Sequence, residues 1–194
     1  MKKLQPEEAV RHKHFLRGYY RELVREISFP KRRAAALALA RRVGGLVEFR
    51  QARSVGVFLP LSFEIETAPL IALARREGKT VAVPVVFPEE RRLRFAVLPD
   101  GRPRWVKNVY GIREPFRRDW VDRLDLLLVP GAAFTLRGDR LGSGAGYYDR
   151  YLARRPRPKT IGVCFDEQVA VRLPVEKHDH RMEWIVTPTR TRHV

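Results

Sequence analysis

Short apolar runs recur along this 194-residue sequence, and segments with the composition of helices separate most of them. The clearest runs cover residues 54–59, 80–86, 125–129 and 160–165. Runs that are apolar at consecutive positions are typical of strands buried on both faces of a parallel sheet. Helices that alternate with such strands pack on the faces of the sheet. The sequence therefore predicts an α/β fold, a three-layer α/β/α sandwich around a largely parallel sheet.

The remaining segments complete this arrangement. Thr67 is placed to cap the helix that follows it, and Gly78 to end that helix. Residues 99–118 are rich in Pro, Gly and Arg, which indicates an irregular excursion. No repeat, low-complexity segment or linker interrupts the chain, so we expect a single domain over residues 1–194. The predicted helices cover residues 7–27, 31–43, 68–77 and 147–153, and further strands cover residues 93–98, at or near a sheet edge, and 183–187.

The composition indicates a globular protein. The hydrophobic fraction is 44% and the charged fraction 31%, and no apolar run approaches the roughly 20 residues that a membrane helix needs. No apolar signal segment follows the basic N-terminus. The single cysteine, Cys164, excludes an internal disulfide, and its apolar neighbours favour a buried, inert thiol. We therefore expect a cytoplasmic protein without a membrane partner, and a monomer is favoured.

The net charge of +17 is the strongest compositional signal. Such a surplus suits anionic partners, which include nucleotides, polyanionic small molecules and nucleic acid. The arginines are scattered, however, and no basic–aromatic recognition module is present. Many of them stand beside Glu or Asp on predicted helix faces, in a composition that resembles heat-adapted proteins. A solvated surface is therefore favoured over nucleic-acid binding.

One glycine-rich stretch, between Arg140 and Asp149, is the main candidate for chemistry. Gly142, Gly144 and Gly146 occupy alternate positions, which leaves a backbone that can adopt positive φ and approach a ligand closely. The loop is predicted to lie between the core strand at 125–129 and a helix, and successive N–H groups in such a loop can converge on a phosphate. The spacing matches neither the Walker pattern nor the dinucleotide pattern. On the glycines alone, a phosphate cradle and a turn without special function are equally supported.

Other polar groups are candidates on weaker grounds. Lys13 and Arg17 lie four residues apart, so they project from one helix face and could clamp an anion together. Glu64 lies between apolar residues after a predicted strand, where it could accept N–H donors of a heterocycle or cap the next helix. The stretch 178–180 places an aspartate between two histidines, a spacing that is weakly diagnostic of a transition metal and better fits a solvated turn. No Ser-His-Asp or Cys–His system stands out as a nucleophile.

Residues 129–152 form a pattern far more specific than three glycines: VPG-x-x-F-x-x-x-G-x-R-L-G-x-G-x-G-Y-Y-D-x-Y-L. Further blocks follow the same order along the chain: Lys13-x-x-Leu16-Arg17, Glu64-Ile65-Glu66-Thr67, Gly111-Ile112-x-Glu114-Pro115, Gln168 and Leu173-Pro174-x-x-x-x-Asp179. Together these residues resemble the 5-formyltetrahydrofolate cyclo-ligase family, also called 5,10-methenyltetrahydrofolate synthetases. The resemblance covers nearly the whole chain, from about residue 13 to about residue 188.

The resemblance implies ATP- and Mg²⁺-dependent conversion of 5-formyltetrahydrofolate to 5,10-methenyltetrahydrofolate, with release of ADP and phosphate. In the family the formyl oxygen is thought to attack the γ-phosphate, after which N10 closes on the activated carbon and phosphate leaves. This chemistry requires the protein to position the reactants and to stabilise charge, and it does not require a covalent nucleophile. The implied fold resembles the sugar-phosphate isomerase and CoA-transferase group.

Carried over by matching position, the family's site residues fall into three groups. The nucleotide group comprises Lys13, Arg17, Arg140, Leu141, Gly142, Ser143, Gly144, Ala145, Gly146, Tyr147 and Tyr148, with Arg140 and Tyr147 as catalytic residues. The folate group comprises Leu59, Glu64 and residues 143–147. Asp149 and Asp179 serve the Mg²⁺. The arginine surplus also suits a substrate with a glutamate tail, especially a polyglutamylated one.

The glycine loop departs from the family pattern at Ser143 and Ala145. Many members carry an aromatic residue or Arg at the first position, and Gly or Lys at the second. A lysine there would supply a charge that this loop lacks, so we expect Arg140 or Arg137 to compensate. Two other functions stay open: a basic nucleic-acid-binding protein with a degenerate phosphate loop, and a sugar-phosphate enzyme on the same fold.

Overall fold

The computed structural model describes residues 6–101, 104–154, 156–176 and 178–194. The basic N-terminal residues 1–5 and residues 102–103 of the predicted excursion lie outside these ranges. The helices are α1 (Pro6–Arg25), α2 (Phe29–Gly44), α3 (Val47–Gln51), α4 (Ala68–Arg76) and α5 (Tyr147–Leu152), with a 3₁₀ turn over Asp166–Gln168. The strands are β1 (Ser54–Gly56), β2 (Thr80–Phe87), β3 (Arg92–Val97), β4 (Trp105–Lys107), β5 (Arg113–Pro115), β6 (Trp120–Val121), β7 (Leu126–Val129), β8 (Ala133–Thr135), β9 (Arg140–Leu141), β10 (Lys159–Val163), β11 (Val169–Ala170), β12 (Trp184–Val186) and β13 (Thr191–His193).

An eight-stranded sheet with the order β13-β12-β10-β7-β1-β2-β3-β6 forms the centre of the described structure. Strands β12, β10, β7, β1 and β2 pair in parallel, whereas β13, β3 and β6 add to the edges in antiparallel orientation. This confirms the predicted largely parallel α/β sheet, and β3 lies one strand from the edge, as its alternating pattern indicates. Among the described residues, no helix combines the length and the apolar character that crossing a membrane requires.

Strand β7 shows how the layers are built. Leu126 and Leu128 face a cluster that contains apolar residues of α1, α2, α3 and α4, whereas Leu127 and Val129 face a second cluster with Leu152 of α5. Period-two alternation gives each face of a strand its own partners, and both faces here are apolar. In the second layer the short α5 shares its face of the main sheet with a three-stranded sheet of order β11-β8-β9. Cys164 is buried in this layer, as predicted.

Two local predictions differ from the structure. The glycine loop follows β9 of the small sheet and not the core strand β7, because the β8–β9 hairpin intervenes. Thr67 precedes α4 but its side chain does not cap it: Oγ1 donates to the carbonyl of Phe58, 2.8 Å away. The carboxylate of Glu66 caps the helix instead, since Oε1 accepts from the backbone N–H groups of Thr67 and Ala68.

The predicted irregular excursion contains a short hairpin, in which β4 pairs with β5. The buried carboxylate of Glu114 attaches it to the main sheet: its Oε1 accepts from the backbone N–H of Val86 at 2.9 Å and from Nδ2 of Asn108 at 2.8 Å. Asn108 in turn accepts from the backbone N–H groups of Tyr110 and Ile112, which closes the turn of the hairpin. These hydrogen bonds hold Tyr110 in the turn of the hairpin.

Gly162→Ala is expected to destabilise the protein by about 1–3 kcal/mol, because overpacking a filled core forces neighbours to move. A Cβ at residue 162 would lie 2.6 Å from Cε1 of Phe134 and 2.9 Å from Cδ1 of Ile185. Gly18→Ala is the matched control: nothing lies within 4 Å of its added Cβ on α1, so a gain of about 0.5–1 kcal/mol is expected. Urea denaturation midpoints measure both, and an unchanged midpoint for Gly162→Ala would contradict the packing around β10.

Candidate functional site

A cavity of about 460 Å³ lies between α1, the segment after β1, the β4–β5 turn and the glycine loop. All residues that the family resemblance assigns to a site line this one cavity: Lys13, Arg17, Leu59, Glu64, Arg140, Leu141, Gly142, Ser143, Gly144, Ala145, Gly146, Tyr147, Tyr148, Asp149 and Asp179. These residues come from distant parts of the chain. Lys13 and Asp179, for example, are 166 positions apart in the sequence and are in direct contact. Their placement brings together the predicted groups, while their roles remain predictions.

The glycine loop runs along the cavity wall from β9 to α5. Gly144 has φ 115° and Gly146 has φ 67°, both in the region that residues with a Cβ rarely adopt. Arg17 attaches the loop to α1, because its Nε donates to the carbonyl of Gly142 at 2.8 Å. Burial and the nearby guanidinium of Arg21 lower the pKa of Arg17. The cationic side of α1 therefore faces the loop backbone directly.

Arg140 and Asp149 form an ion pair beside the loop. Nη2 of Arg140 lies 2.7 Å from Oδ2 of Asp149, and Nη1 donates to the carbonyl of Pro130 at 3.3 Å. Burial alone would raise the pKa of Asp149, but the charge and hydrogen bond of Arg140 outweigh it and hold the pKa below its ordinary value. Asp149 is therefore ionised at neutral pH. Nε of Arg140 is buried and has no hydrogen-bond partner among the described residues, while the residue itself lines the cavity.

The second acidic group is a cluster of Glu176, His178 and Asp179, whose ligand-type atoms all lie within 4.8 Å of one another. Lys13, which is 8% exposed, places its Nζ 2.6 Å from Oε2 of Glu176 and 3.0 Å from Oδ2 of Asp179. The two carboxylates are oxygen donors of the kind that Mg²⁺ prefers. Asp149 is not part of this three-residue cluster, and its pairing with Asp179 as metal ligands stays a prediction.

His180 is outside the acidic cluster as well, and its backbone N–H faces Oδ1 of Asp149 at 3.4 Å. The two histidines of the stretch 178–180 therefore do not form a joint metal site in the described residues. The lysine and arginine of α1, predicted to hold one anion together, contact different groups: Lys13 binds carboxylates, whereas Arg17 binds a loop carbonyl.

Glu64 marks the apolar end of the cavity, where Phe58, Leu59 and Phe63 also contribute to the wall. Its Oε2 accepts from the backbone N–H of Leu61 at 2.8 Å. Burial raises the pKa of Glu64 to about 7, against the opposing effects of this hydrogen bond and of Arg21. Burial of the Tyr148 hydroxyl, followed by the charge of the nearby Glu64, raises the pKa of Tyr148. A carboxyl group that has a pKa near 7 and lies in an apolar wall is suited to recognising N–H donors.

Tyr110, on the β4–β5 turn, is a cavity residue that the sequence reasoning missed. Its hydroxyl lies 2.9 Å from that of Tyr147, and the rings meet edge to face with centroids 6.0 Å apart. Burial, followed by the hydrogen bond to Tyr110, raises the pKa of Tyr147 to about 12. No local pattern distinguishes Tyr110, since its approach to Tyr147 depends on how the hairpin docks.

Arg21 and Glu176 also line the cavity. For Arg21 the sequence did carry a signal. Arg21 continues the four-residue spacing of Lys13 and Arg17 on α1, so all three project from one helix face. Its guanidinium lies 4.6 Å from the ring centroid of Phe63, and its buried Nε has no partner in the described protein. Arg137, by contrast, is not among the described lining residues, so only Arg140 of the two expected compensating arginines faces the site.

Comparisons with known proteins were consistent with one another. Residues 9–188 match the family described as the 5-formyltetrahydrofolate cyclo-ligase family. A 5-formyltetrahydrofolate cyclo-ligase of Mus musculus is 27% identical over 187 residues, which cover 90% of this chain and 92% of that protein. The protein of the same name from Escherichia coli (strain K12) is 37% identical over 146 residues, which cover 72% of this chain and 80% of that protein.

Solved structures agree with this result. The Aquifex aeolicus 5,10-methenyltetrahydrofolate synthetase superposes with a TM-score of 0.81 at 30% identity, covering 93% of this chain and 92% of that one. A 5,10-methenyltetrahydrofolate synthetase from Mycoplasma pneumoniae superposes with a TM-score of 0.72 at 19% identity, covering 91% of this chain and 98% of that one. The second likeness bears on the fold alone.

Proposed function

Because the chain belongs to the 5-formyltetrahydrofolate cyclo-ligase family, we propose that it converts 5-formyltetrahydrofolate to 5,10-methenyltetrahydrofolate with ATP and Mg²⁺, releasing ADP and phosphate. The observation that carries the proposal is the single cavity in which cations, a glycine loop, carboxylates and an apolar wall meet. We further propose that residues 1–194 act as one domain, in a cytoplasmic monomer.

The proposed reaction joins phosphoryl transfer to ring closure. The formyl oxygen forms a bond to the γ-phosphorus while the bond from that phosphorus to the bridging oxygen breaks, which yields ADP. N10 then attacks the formyl carbon and loses its proton, and phosphate leaves with the former formyl oxygen. Neither step needs a covalent enzyme nucleophile, so positioning and charge stabilisation carry the catalysis. The only cysteine, buried Cys164, has a raised pKa because of its burial and is unsuited to attack.

The phosphates are assigned to the side of the cavity formed by α1 and the glycine loop. Lys13, Arg17 and Arg140 supply the positive charge there, and residues 141–148 supply the surrounding backbone. Arg140 is the catalytic cation in this proposal, because it lines the cavity and is held beside the loop by its pair with Asp149. Negative charge that develops on the transferred group would meet donors already held in place.

The metal is assigned to the carboxylates Asp149 and Asp179, with Glu176 as an additional oxygen donor near Asp179. A Mg²⁺ held there would supply positive charge that neutralises the phosphates. Lys13 now contacts both Glu176 and Asp179, so its ammonium neutralises the two carboxylates that the metal would use. Lys13 is therefore expected to exchange these contacts for phosphate oxygens when the nucleotide and metal bind.

The folate is assigned to the apolar end of the cavity. Glu64 is a suitable acceptor for the N–H donors of the pterin, and Leu59 offers apolar contact beside it. Tyr147 and residues 143–146 also line the cavity, and they are assigned to the reacting formyl group as well as to the nucleotide. The net charge of +17 suits the glutamate tail of the substrate, including a polyglutamylated form.

The direct test is a spectrophotometric assay with 5-formyltetrahydrofolate and Mg-ATP, in which we expect the methenyl chromophore to form together with ADP. No absorbance change at high enzyme concentration would reject the proposal. The same preparation distinguishes the other functions left open by the sequence. Affinity for generic RNA that falls steeply with salt and ignores ATP would favour a nucleic-acid-binding protein, and the absence of ATP binding would favour a sugar-phosphate enzyme.

A further inference from the structure

Each glycine of the loop faces the guanidinium of a different arginine. A Cβ built on the glycine would approach an arginine head-group atom in all three cases: Nη1 of Arg140 at 2.6 Å from Gly142, Cζ of Arg17 at 3.6 Å from Gly144, and Nη1 of Arg150 at 2.9 Å from Gly146. The alternate glycines therefore make room for cations as well as for unusual φ angles. Arg140 and Arg17 are already assigned to the nucleotide, whereas Arg150 has no assigned role.

Arg150 connects the glycine loop to another part of the sheet. Its Nη2 donates to the carbonyl of Ala145 at 2.6 Å, and its Nε donates to the carbonyl of Arg91 at 2.6 Å. Arg91, in the turn between β2 and β3, has φ 48°, an uncommon conformation for a residue with a Cβ. One side chain thus holds the loop carbonyl and the carbonyl of an independently constrained turn.

The hydrogen bond to Ala145 also orients the following amide. In a planar trans peptide the C=O and the N–H point in opposite directions, so a carbonyl directed to Arg150 turns the N–H of Gly146 to the other side. Arg150 is exposed and lies outside the cavity lining, whereas Ala145 and Gly146 line the cavity. The carbonyl of Ala145 thus accepts from a side chain that is not part of the cavity lining, whereas a carbonyl turned into the cavity would repel an anion there.

We propose that Arg150 is a positioning residue for nucleotide binding, which fixes the Ala145–Gly146 peptide so that its N–H can donate to a phosphate oxygen of ATP. This inference rests on the proposed function. The proposal also makes Arg150 the cation that lies beside Ala145, a residue that carries no charge of its own. Arg150 acts through the loop backbone and is not assigned a contact with the reacting atoms.

The test compares Arg150→Ala, Arg150→Lys and the control Arg154→Ala, which removes the same charge four residues further on. For Arg150→Ala we expect the KM for Mg-ATP to rise about 10-fold or more, as for loss of a charge-assisted hydrogen bond, and the KM for 5-formyltetrahydrofolate to change less than about two-fold. Arg150→Lys should restore part of the loss, because an ammonium can hold one of the two carbonyls. Calorimetric titration of ADP into each variant, without turnover, should give the same ranking.

A nucleotide affinity of Arg150→Ala equal to that of Arg154→Ala would overturn the assignment. A parallel loss for both substrates, accompanied by a lower unfolding temperature, would also overturn it, because that pattern indicates a general structural role. The wild-type protein distinguishes this failure from failure of the proposed function. If the wild type turns over and the variants match it, only the role of Arg150 is wrong; if the wild type neither turns over nor binds nucleotide, both are wrong.

Discussion

Asp149→Asn is expected to lower kcat by about 100- to 1,000-fold, the range for removal of one charge-stabilising group from an active site. Asp149 is ionised at neutral pH because Arg140 contacts its Oδ2 at 2.7 Å and lowers its pKa. The amide removes the negative charge that the proposed Mg²⁺ requires. It also leaves the buried guanidinium of Arg140 without its counter-charge at the point where the γ-phosphate is assigned.

Steady-state kinetics over a series of Mg²⁺ concentrations measure this effect, and the loss should be smaller at high Mg²⁺ if the carboxylate binds the metal. Asparagine keeps an acceptor oxygen for Arg140, so the circular dichroism spectrum should match that of the wild type. Asp122→Asn is the matched control, because the Asp122 side chain is 92% exposed and lies 3.9 Å from its partner Arg94. A kcat for Asp149→Asn within about three-fold of the control would contradict the metal assignment.

Glu64→Gln is expected to raise the KM for 5-formyltetrahydrofolate about 10- to 100-fold, with a much smaller effect on ATP, because hydrogen bonds to a charged group contribute about 1.5–3 kcal/mol. The substrate donors need the ionised carboxylate, and burial raises the pKa of Glu64 to about 7. The wild-type KM for the folate should therefore fall as the pH rises through about 7, and the variant should lose this dependence.

The folding stability of the ligand-free wild-type protein should fall as the pH rises through the range in which folate binding improves. The folded-state pKa of Glu64 lies above the value of 4.5 for an exposed carboxyl, so its contribution favours folding below about pH 4.5 and is lost as the pH rises through about 7. Relative to the wild type, Glu64→Gln should gain stability over that interval, by up to about 3 kcal/mol. Urea denaturation at several pH values measures this, and a difference independent of pH would contradict the raised pKa.

Glu66→Gln provides the control for these measurements. Glu66 is exposed, lies two residues from Glu64 and caps α4 without lining the cavity, so the folate KM and its pH dependence should be those of the wild type. The two active-site variants also test one another. If Glu64→Gln abolished ATP binding while Asp149→Asn retained it, the folate and nucleotide ends of the cavity would have to be exchanged.

Most of the fold followed from local patterns. The apolar runs at 80–86, 125–129 and 160–165 became the parallel strands β2, β7 and β10, within two residues at each end, because consecutive apolar residues are stable only when both faces of a strand are covered. The run at 54–59 forms a strand only as far as Gly56. The hairpins β4–β5 and β8–β9 were missed, since two- and three-residue strands carry too little pattern to identify.

The candidate site was likewise predictable from the sequence only in part. Lys13, Arg17, Glu64 and the residues of the glycine loop were identified from the sequence, by spacing or through resemblance to a family pattern, and all of them line one cavity. Tyr110 could not be identified, because its approach to Tyr147 depends on the buried carboxylate of Glu114. The contacts of Arg150 could not be identified either, since a one-dimensional pattern does not show which carbonyls a long side chain reaches.

The sequence by itself determined the class of fold, the family and the residue types available for phosphate, metal and folate. These depend on apolar periodicity, on glycine conformations and on short motifs, all of which act over a few residues. Tertiary structure alone decided how the charges pair: Lys13 with Glu176 and Asp179, Arg140 with Asp149, and Arg150 with two backbone carbonyls. The physical reason is that ion pairing and burial depend on distances across the cavity, which the chain acquires only when α1, the glycine loop and the residues near 176 pack together.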